Sequence, residues 1–353
     1  MAVHLPRPDL DYPFSQPPET GNFTAVAPGV YWVRMPIPGG IDHINLWLLE
    51  DEDGWYIVDT GMATDKGMEV WRSVWRHAAE LCGSEKPVNG VICTHLHPDH
   101  VGLAGWICER SGAQFYMSRS EFFMCQTLMA DSMRNAPPEA LDFYRAMGCN
   151  EDQIDYYRGR FGGFKQMIRS LPRVFNRLHE DDYLAIGGRR WRVVIGEGHS
   201  PEHVCLYSEA DKLFISGDQL LPTISSIVGV WPLEPKENPL RRWLASCEKL
   251  RELLPADVLV LPSHGLPFRG AKARLQHLID EHHAAFAAIR QRAALQPLRA
   301  MDLFDILFKS EIGNHNLIMA LSESQANMNY LLAAGDLAVT TDPHGVNWYR
   351  ANG

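Results

Sequence analysis

At 353 residues, with 46% hydrophobic and 22% charged side chains, the chain has the composition of a globular protein with one large core and a smaller appendage. A formal net charge of −10 argues against a surface built for nucleic acid or an anionic membrane, and no run approaches the ~20 apolar residues needed to span a bilayer. Seven scattered cysteines, none in a C-x-x-C pair, and a start without an apolar stretch point to a cytoplasmic protein with reduced thiols.

Residues 1–22, rich in proline and polar side chains, read as a surface-hugging arm. Strand-like runs follow at 29–34, 43–50 and 55–59, the last two joined by the turn Asp51-Glu52-Asp53-Gly54. Residues 64–81 carry Met68, Val70, Trp71, Val74 and Trp75 at mixed helical spacing. A short buried strand at 88–93 then runs into Thr94-His95-Leu96-His97-Pro98-Asp99-His100, and a helix begins at 101–106. After a strand at 114–117, residues about 119–180 are patterned as helices broken at Pro137-Pro138 and Gly162-Gly163.

That insertion reads as a helical cap near the mouth of a site. Between Tyr156 and Arg177 it holds Arg158, Arg160, Lys165, Arg169, Arg173 and Arg177 with no carboxylate, interleaved with Tyr156, Tyr157, Phe161, Phe164 and Phe175. In an acidic chain this reversal of charge has two readings. One is an anion-gripping, partly apolar substrate cap, with Tyr157, Arg160, Phe164, Arg169 and Arg173 as candidate contacts. The other is a solvated face whose cations pair with nearby acids.

Three more apolar runs each end at a metal-ligand-type residue: 191–195 before Gly198-His199, 212–217 before Asp218, and 257–263 before His264. Helices are expected at 239–254 and 272–292. The last stretch, 281–353, reads as helices at 303–309, 318–321 and 324–334, then a hairpin of 337–340 with 346–349. That order is winged-helix-like. With five Lys/Arg against seven Asp/Glu it has the wrong sign for phosphate binding, so a packing or homo-oligomerisation element is expected.

Imidazole and carboxylate ligands together suit zinc, iron or manganese. Seven groups (His95, His97, Asp99, His100, His199, Asp218 and His264) exceed what one tetrahedral ion takes, whereas two ions sharing a carboxylate would use them all. Each sits where a strand should stop, the usual place for ligands in layered α/β proteins.

On these motifs the chain resembles the metallo-β-lactamase-fold superfamily over roughly residues 23–280. Asp59-Thr60-Gly61 matches that superfamily's early aspartate turn. Gly198-His199-Ser200-Pro201-Glu202-His203 is similar to the second motif of its glyoxalase II-like branch, with Glu202 where that branch usually has glycine. The resemblance implies an α/β fold, a four-layer αββα sandwich. It implies that His95, His97 and His199 hold one divalent ion, that Asp99, His100 and His264 hold a second, and that Asp218 bridges them. Zinc is the first expectation for both, with iron or manganese as alternatives.

In the implied mechanism the bridging hydroxide attacks an acyl carbon while Asp99 orients it, with Asp99 and Asp218 as the catalytic carboxylates. Asp59 is either a partner for a ligand histidine or a turn aspartate, and His203 either a supporting or a purely structural histidine. His43 either lines the cleft or sits at a strand edge. The expected substrate is a small acyl compound, a thioester on an anionic carrier such as glutathione or coenzyme A, with a lactone as the alternative. A redox member of the same fold ranks third.

Overall fold

The computed structural model describes residues 5–352. One sheet holds β1 Phe23–Ala27, β2 Val30–Pro36, β3 His43–Glu50, β4 Trp55–Val58, β5 Val88–Ile92, β6 Gln114–Met117 and β7 Asn176–Arg177, in that spatial order. It is antiparallel from β1 to β4 and parallel from β4 to β7. A second sheet contains β8 Tyr183–Ile186, β9 Arg189–Gly196, β10 His203–Ser208, β11 Leu213–Gly217 and β12 Leu259–Pro262, ordered β12-β11-β10-β9-β8. Only β11 and β12 pair in parallel there. A separate hairpin joins β13 Leu337–Thr341 to β14 Asn347–Ala351.

The helices are α1 Asp65–Cys82, α2 Pro98–Val101, α3 Ala104–Ser111, α4 Arg119–Ala130, α5 Pro138–Ala146, α6 Glu151–Arg160, α7 Pro239–Leu253, α8 Ala271–Leu295, α9 Phe304–Leu307 and α10 Leu317–Ala333. The first is delimited by its own chemistry. The Thr64 hydroxyl accepts the Gly67 N–H, and Gly83 closes the helix at φ 70°. Its apolar stripe of Met68, Trp71, Val74 and Ala78 is buried, and Trp71 Nε1 donates to the Thr60 carbonyl at 2.7 Å.

Three apolar cores separate the layers. Trp32, Trp47, Val58 and Ile92 of the first sheet meet Trp191, Val193, Val204 and Ile215 of the second between the sheets. Outside the first sheet, α1, α3 and α4 cover Val33, Leu46, Ile57 and Val91. Outside the second, α7, α8 and α10 cover Val194, Cys205, Phe214 and Val260. This is the expected αββα sandwich. All seven cysteines are free, and no helix among the described residues is long and apolar enough to cross a membrane.

Two regions differ from expectation. The insertion is not one cap. Phe122 and Cys125 of α4 belong to the core outside the first sheet, whereas Tyr144, Met147 and Ile154 of α5 and α6 belong to the core outside the second. The apolar residues of the segment divide between two faces, and the Met301 N–H donates to the Met147 carbonyl, tying α5 to the C-terminal region. In the C-terminal region, α8 runs unbroken through residue 280, and α10 is one helix where two short ones were expected. Its hydroxyl and amide residues Ser322, Ser324, Gln325 and Asn327 are buried, so they do not break the helix. The N-terminal arm lies against the start of α8, with a bridge between Asp11 and Arg269.

Candidate metal centre

Strand ends from both sheets converge on one edge. β5 leads through Cys93 and Thr94 to His95, and Pro98 then starts the single turn of α2 that presents Asp99 and His100 side by side. β9 ends at Gly196 just before His199, β11 at Gly217 before Asp218, and β12 at Pro262 before His264. Gly217 is required twice over. Its φ is 51°, and a Cβ there would stand 2.4 Å from the His203 ring.

The seven ligand-type side chains form two groups, His95, His97, His199 and Asp218, and Asp99, His100 and His264. His95 Nε2 lies 2.9 Å from His97 Nδ1 and 3.2 Å from His199 Nε2. Ligands bonded at 2.0–2.1 Å around a tetrahedral zinc stand about 3.3 Å apart. Asp218 Oδ2 is 3.8 Å from His95 Nε2, 3.4 Å from His199 Nε2 and 3.5 Å from His100 Nε2, while its Oδ1 is 3.4 Å from His264 Nε2. Asp99 Oδ2 stands 3.6 Å from His100 Nε2 and 3.5 Å from His264 Nε2. One carboxylate therefore faces both groups.

The far side of each ring explains its aim. Asp59 Oδ2 accepts from His100 Nδ1 at 2.8 Å, the Ile227 carbonyl from His199 Nδ1 at 2.7 Å, and the His43 carbonyl from His264 Nδ1 at 2.8 Å. These bonds fix the tautomers, leaving each Nε2 lone pair pointed inward. His100 Nε2 and Asp218 Oδ1 are buried with no hydrogen-bond partner among the described residues. Burial pushes His95 well below the ordinary imidazole range and His97 down to about 3, whereas His100, though buried, is raised by the Asp59, Asp218 and Asp99 carboxylates. Bare lone pairs and a buried carboxylate at these distances repel one another unless a cation stands among them. The residues present therefore fit divalent ions.

Asp59 holds its place at φ 61° and also accepts the Thr94 N–H at 2.8 Å, so it is both a turn aspartate and the partner of His100. His203 stacks on His95 with ring centres 4.8 Å apart, and its Nε2 accepts the Asp218 N–H at 3.0 Å. It supports the Asp218 backbone and turns no nitrogen toward the ligand groups. His43 sits behind His264. Its Nε2 accepts the Gly265 N–H at 2.9 Å and its Nδ1 contacts Asp42 at 2.5 Å, leaving neither nitrogen for a substrate in the cleft.

The candidate substrate contacts are dispersed. Tyr157 packs on Tyr144 at 4.3 Å between ring centres, in the core of the second sheet's outer face. Phe164 packs against the core of the first sheet's outer face. Arg160 lies over the Tyr156 ring, and Arg173 is exposed. Arg169 is the one tied to the ligand loops, because its N–H donates to the Gly102 carbonyl at 2.9 Å, two residues beyond His100. The neighbouring Met167 and Ser170 carbonyls accept from Ala63 and Gly105. No hydrogen bond, ion pair or ring contact among the described residues links the other four to the seven ligand-type side chains.

Sequence reasoning missed several supports. Glu121 is fully buried and accepts the Leu96 and Glu202 N–H groups at 3.0 and 2.8 Å. Asn45 Nδ2 donates to the Pro262 and Gly265 carbonyls, Ser226 Oγ donates to the Asp218 carbonyl, and Arg274 donates to the Leu221 and Ile224 carbonyls. The one local signal was Ser118-Arg119-Ser120-Glu121, which has capping-box spacing.

Residues 39–264 match the family model described as the metallo-beta-lactamase superfamily, and residues 286–352 one described as a metallo-beta-lactamase-like C-terminal domain. A beta-lactamase domain protein from Burkholderia ambifaria superimposes with a TM-score of 0.89 at 38% identity, covering 97% of this chain and 98% of that one. An acyl-coenzyme A thioesterase of Gallus gallus is 22% identical over 243 residues, 67% of this chain and 77% of the relative. A linear primary-alkylsulfatase of Pseudomonas is 23% identical over 257 residues, 69% of this chain and 46% of the relative.

Proposed function

The chain belongs to the metallo-beta-lactamase superfamily, and from that premise we propose that it is a dinuclear metal-dependent hydrolase of acyl thioesters on an anionic carrier. The observation that carries the metal reading is the Asp218 carboxylate, whose two oxygens lie within 3.4–3.8 Å of inward ring nitrogens from both ligand groups. His95, His97 and His199 would hold one ion, Asp99, His100 and His264 the other, and Asp218 both. Such ions, zinc or alternatively iron or manganese, supply a water nucleophile at neutral pH and charge stabilisation for the scissile carbonyl.

The protein's own residues do the rest. Asp99, whose side chain is 18% exposed, would orient the attacking water by accepting a hydrogen bond from it. Asp59 and the carbonyls of His43 and Ile227 hold the ligand rings so that no reorganisation accompanies the reaction. Buried Cys93 and Cys205 are held as thiols well above the ordinary thiol range by desolvation, which removes them as nucleophiles.

Two features support the substrate class. The relatives named above act, by their names, on an acyl-coenzyme A and on a linear alkyl sulfate, each an aliphatic chain joined to an anion. Arg169 and Arg173 are exposed with no carboxylate partner among the described residues, in a segment whose backbone lies on the ligand loops. The test is turnover by metal-quantified protein of short and long acyl-CoAs, S-lactoylglutathione, an acyl-homoserine lactone, a linear alkyl sulfate and nitrocefin. Thioester turnover that is lost in Asp218→Ala supports the proposal. Turnover of the lactone or the sulfate alone would replace the thioester with that substrate.

A further inference from the structure

Ser118 and Glu121 have the spacing of a capping box at the start of α4, yet neither closes on its own helix. Ser118 makes no side-chain bond to a helix N–H, and its Oγ donates to the Glu202 carbonyl at 2.7 Å. The cap is supplied from elsewhere. Glu202 Oε2, from the loop that carries His199, accepts the Ser120 N–H at 2.7 Å. Glu121 answers in the opposite direction, with Oε1 accepting the Glu202 N–H at 2.8 Å. Its remaining oxygen, Oε2, accepts the Leu96 N–H at 3.0 Å. Each glutamate thus holds backbone of the other's segment, Glu121 that of Glu202 and Glu202 that of Ser120.

The position of those backbone groups gives the arrangement its consequence. Leu96 lies between His95 and His97. Glu202 lies three residues beyond His199 and directly before His203, whose ring holds the Asp218 backbone. A single buried carboxylate, 0% exposed, therefore spans the two loops that supply three imidazoles of one ligand group. His95 and His199 reach each other at 3.2 Å because their loops are held at this separation. A glycine at 202 would have no carboxylate to give α4, so this clasp and the helical insertion belong together.

We infer that Glu121 and Glu202 are positioning residues for the ion held by His95, His97 and His199, a role that rests on the reading of that group as a metal site. The clasp sets the spacing of the ligand loops and anchors the start of the insertion to them. Among the described residues no hydrogen bond or ion pair joins it to the other group, whose rings are aimed by Asp59 and by the His43 carbonyl. Loss of the clasp should therefore weaken one ion and spare the other.

The experiment is a zinc titration of metal-free full-length protein against a chromogenic chelator, resolving two affinities. Glu121→Gln puts an amide NH2 against one of the two backbone N–H groups, and one ion should bind about 10–100-fold more weakly, the usual cost of losing such support. The other ion should stay within about twofold. Glu202→Gly removes the half-exposed arm and should cost about tenfold on the same ion, whereas Glu202→Gln keeps an acceptor oxygen and should restore most of it. If Glu121→Gln does not fold, Glu202→Gly against Glu202→Gln carries the test alone. Two wild-type affinities in Glu202→Gly, or an equal loss at both ions, overturn the clasp while leaving the metal reading intact. A wild-type protein that binds no ion overturns both.

Discussion

Four of the five ligand imidazoles have their outward nitrogen engaged, by Thr94, Asp59, the Ile227 carbonyl or the His43 carbonyl. Of the six cations between Tyr156 and Arg177, only Arg158 has a carboxylate partner among the described residues, Asp155. The first region is held in place because four of its five rings have a hydrogen bond that fixes their orientation. The second keeps charge on long side chains in water, where ordering each would cost rotamer entropy. The pairing with nearby acids that would have made these cations mere surface decoration is therefore nearly absent. On the proposed reading, the centre would hold its reactive atoms firmly and cations free of ion pairs would meet a charged ligand adaptively.

The strongest way to break this contrast is at the shared carboxylate. Asp218→Ala removes the group facing both ligand sets. Metal analysis should find fewer than two ions per chain, and turnover should fall by about 10³-fold or more. Turnover within tenfold of wild type would dismantle the dinuclear reading. Asp59→Ala is the next step down, because it frees the His100 ring and strands the buried Thr94 N–H. Affinity for the ion held by His100 should drop about 10–100-fold, with about 1–3 kcal/mol lost in urea unfolding of the metal-free protein. An unchanged affinity would make Asp59 a turn residue alone.

Arg274→Met should act at longer range and less specifically. The guanidinium, 1% exposed on α8, donates to the Leu221 and Ile224 carbonyls of the segment that ends at the Ile227 carbonyl behind His199. About 1.5–3 kcal/mol of stability should be lost in urea unfolding, the scale of hydrogen bonds to a charged group. A variant as stable as wild type would show that this loop holds itself.

The same contrast governs what could be read before folding. The ligand cluster was legible because each member ends an apolar run, and strand ends are where side chains of different segments can meet. The sandwich followed from the family resemblance that those motifs carry. Glu121 offered only a capping-box spacing, because its partners lie 25 and 81 residues away and are backbone groups, which leave no trace in side-chain pattern. Asn45 and Arg274 were missed for the same reason. His43 misled because a histidine opening a strand beside the site can face it or brace it, and only the position of Gly265 decides. The insertion misled because helical periodicity states which face is buried, and not against which core.

The finest test lies in the cations themselves. Arg169 and Arg173 have no ion-pair partner among the described residues to lose, so their replacement by alanine should leave the stability in urea within about 0.5 kcal/mol of wild type. If they meet an anionic substrate, each change should raise KM for an acyl-CoA by about 3–10-fold at low salt, with kcat within twofold. Salt gives the discriminating axis. The Debye length shrinks from about 30 Å at 0.01 M to about 10 Å at 0.1 M, so wild-type KM should rise over that range. The double variant should start high and change little. Because Arg169 is held by its backbone to Gly102, its effect should exceed that of Arg173. Equal salt dependence in wild type and double variant would return this segment to a solvated face and leave the centre to recognise its substrate without it.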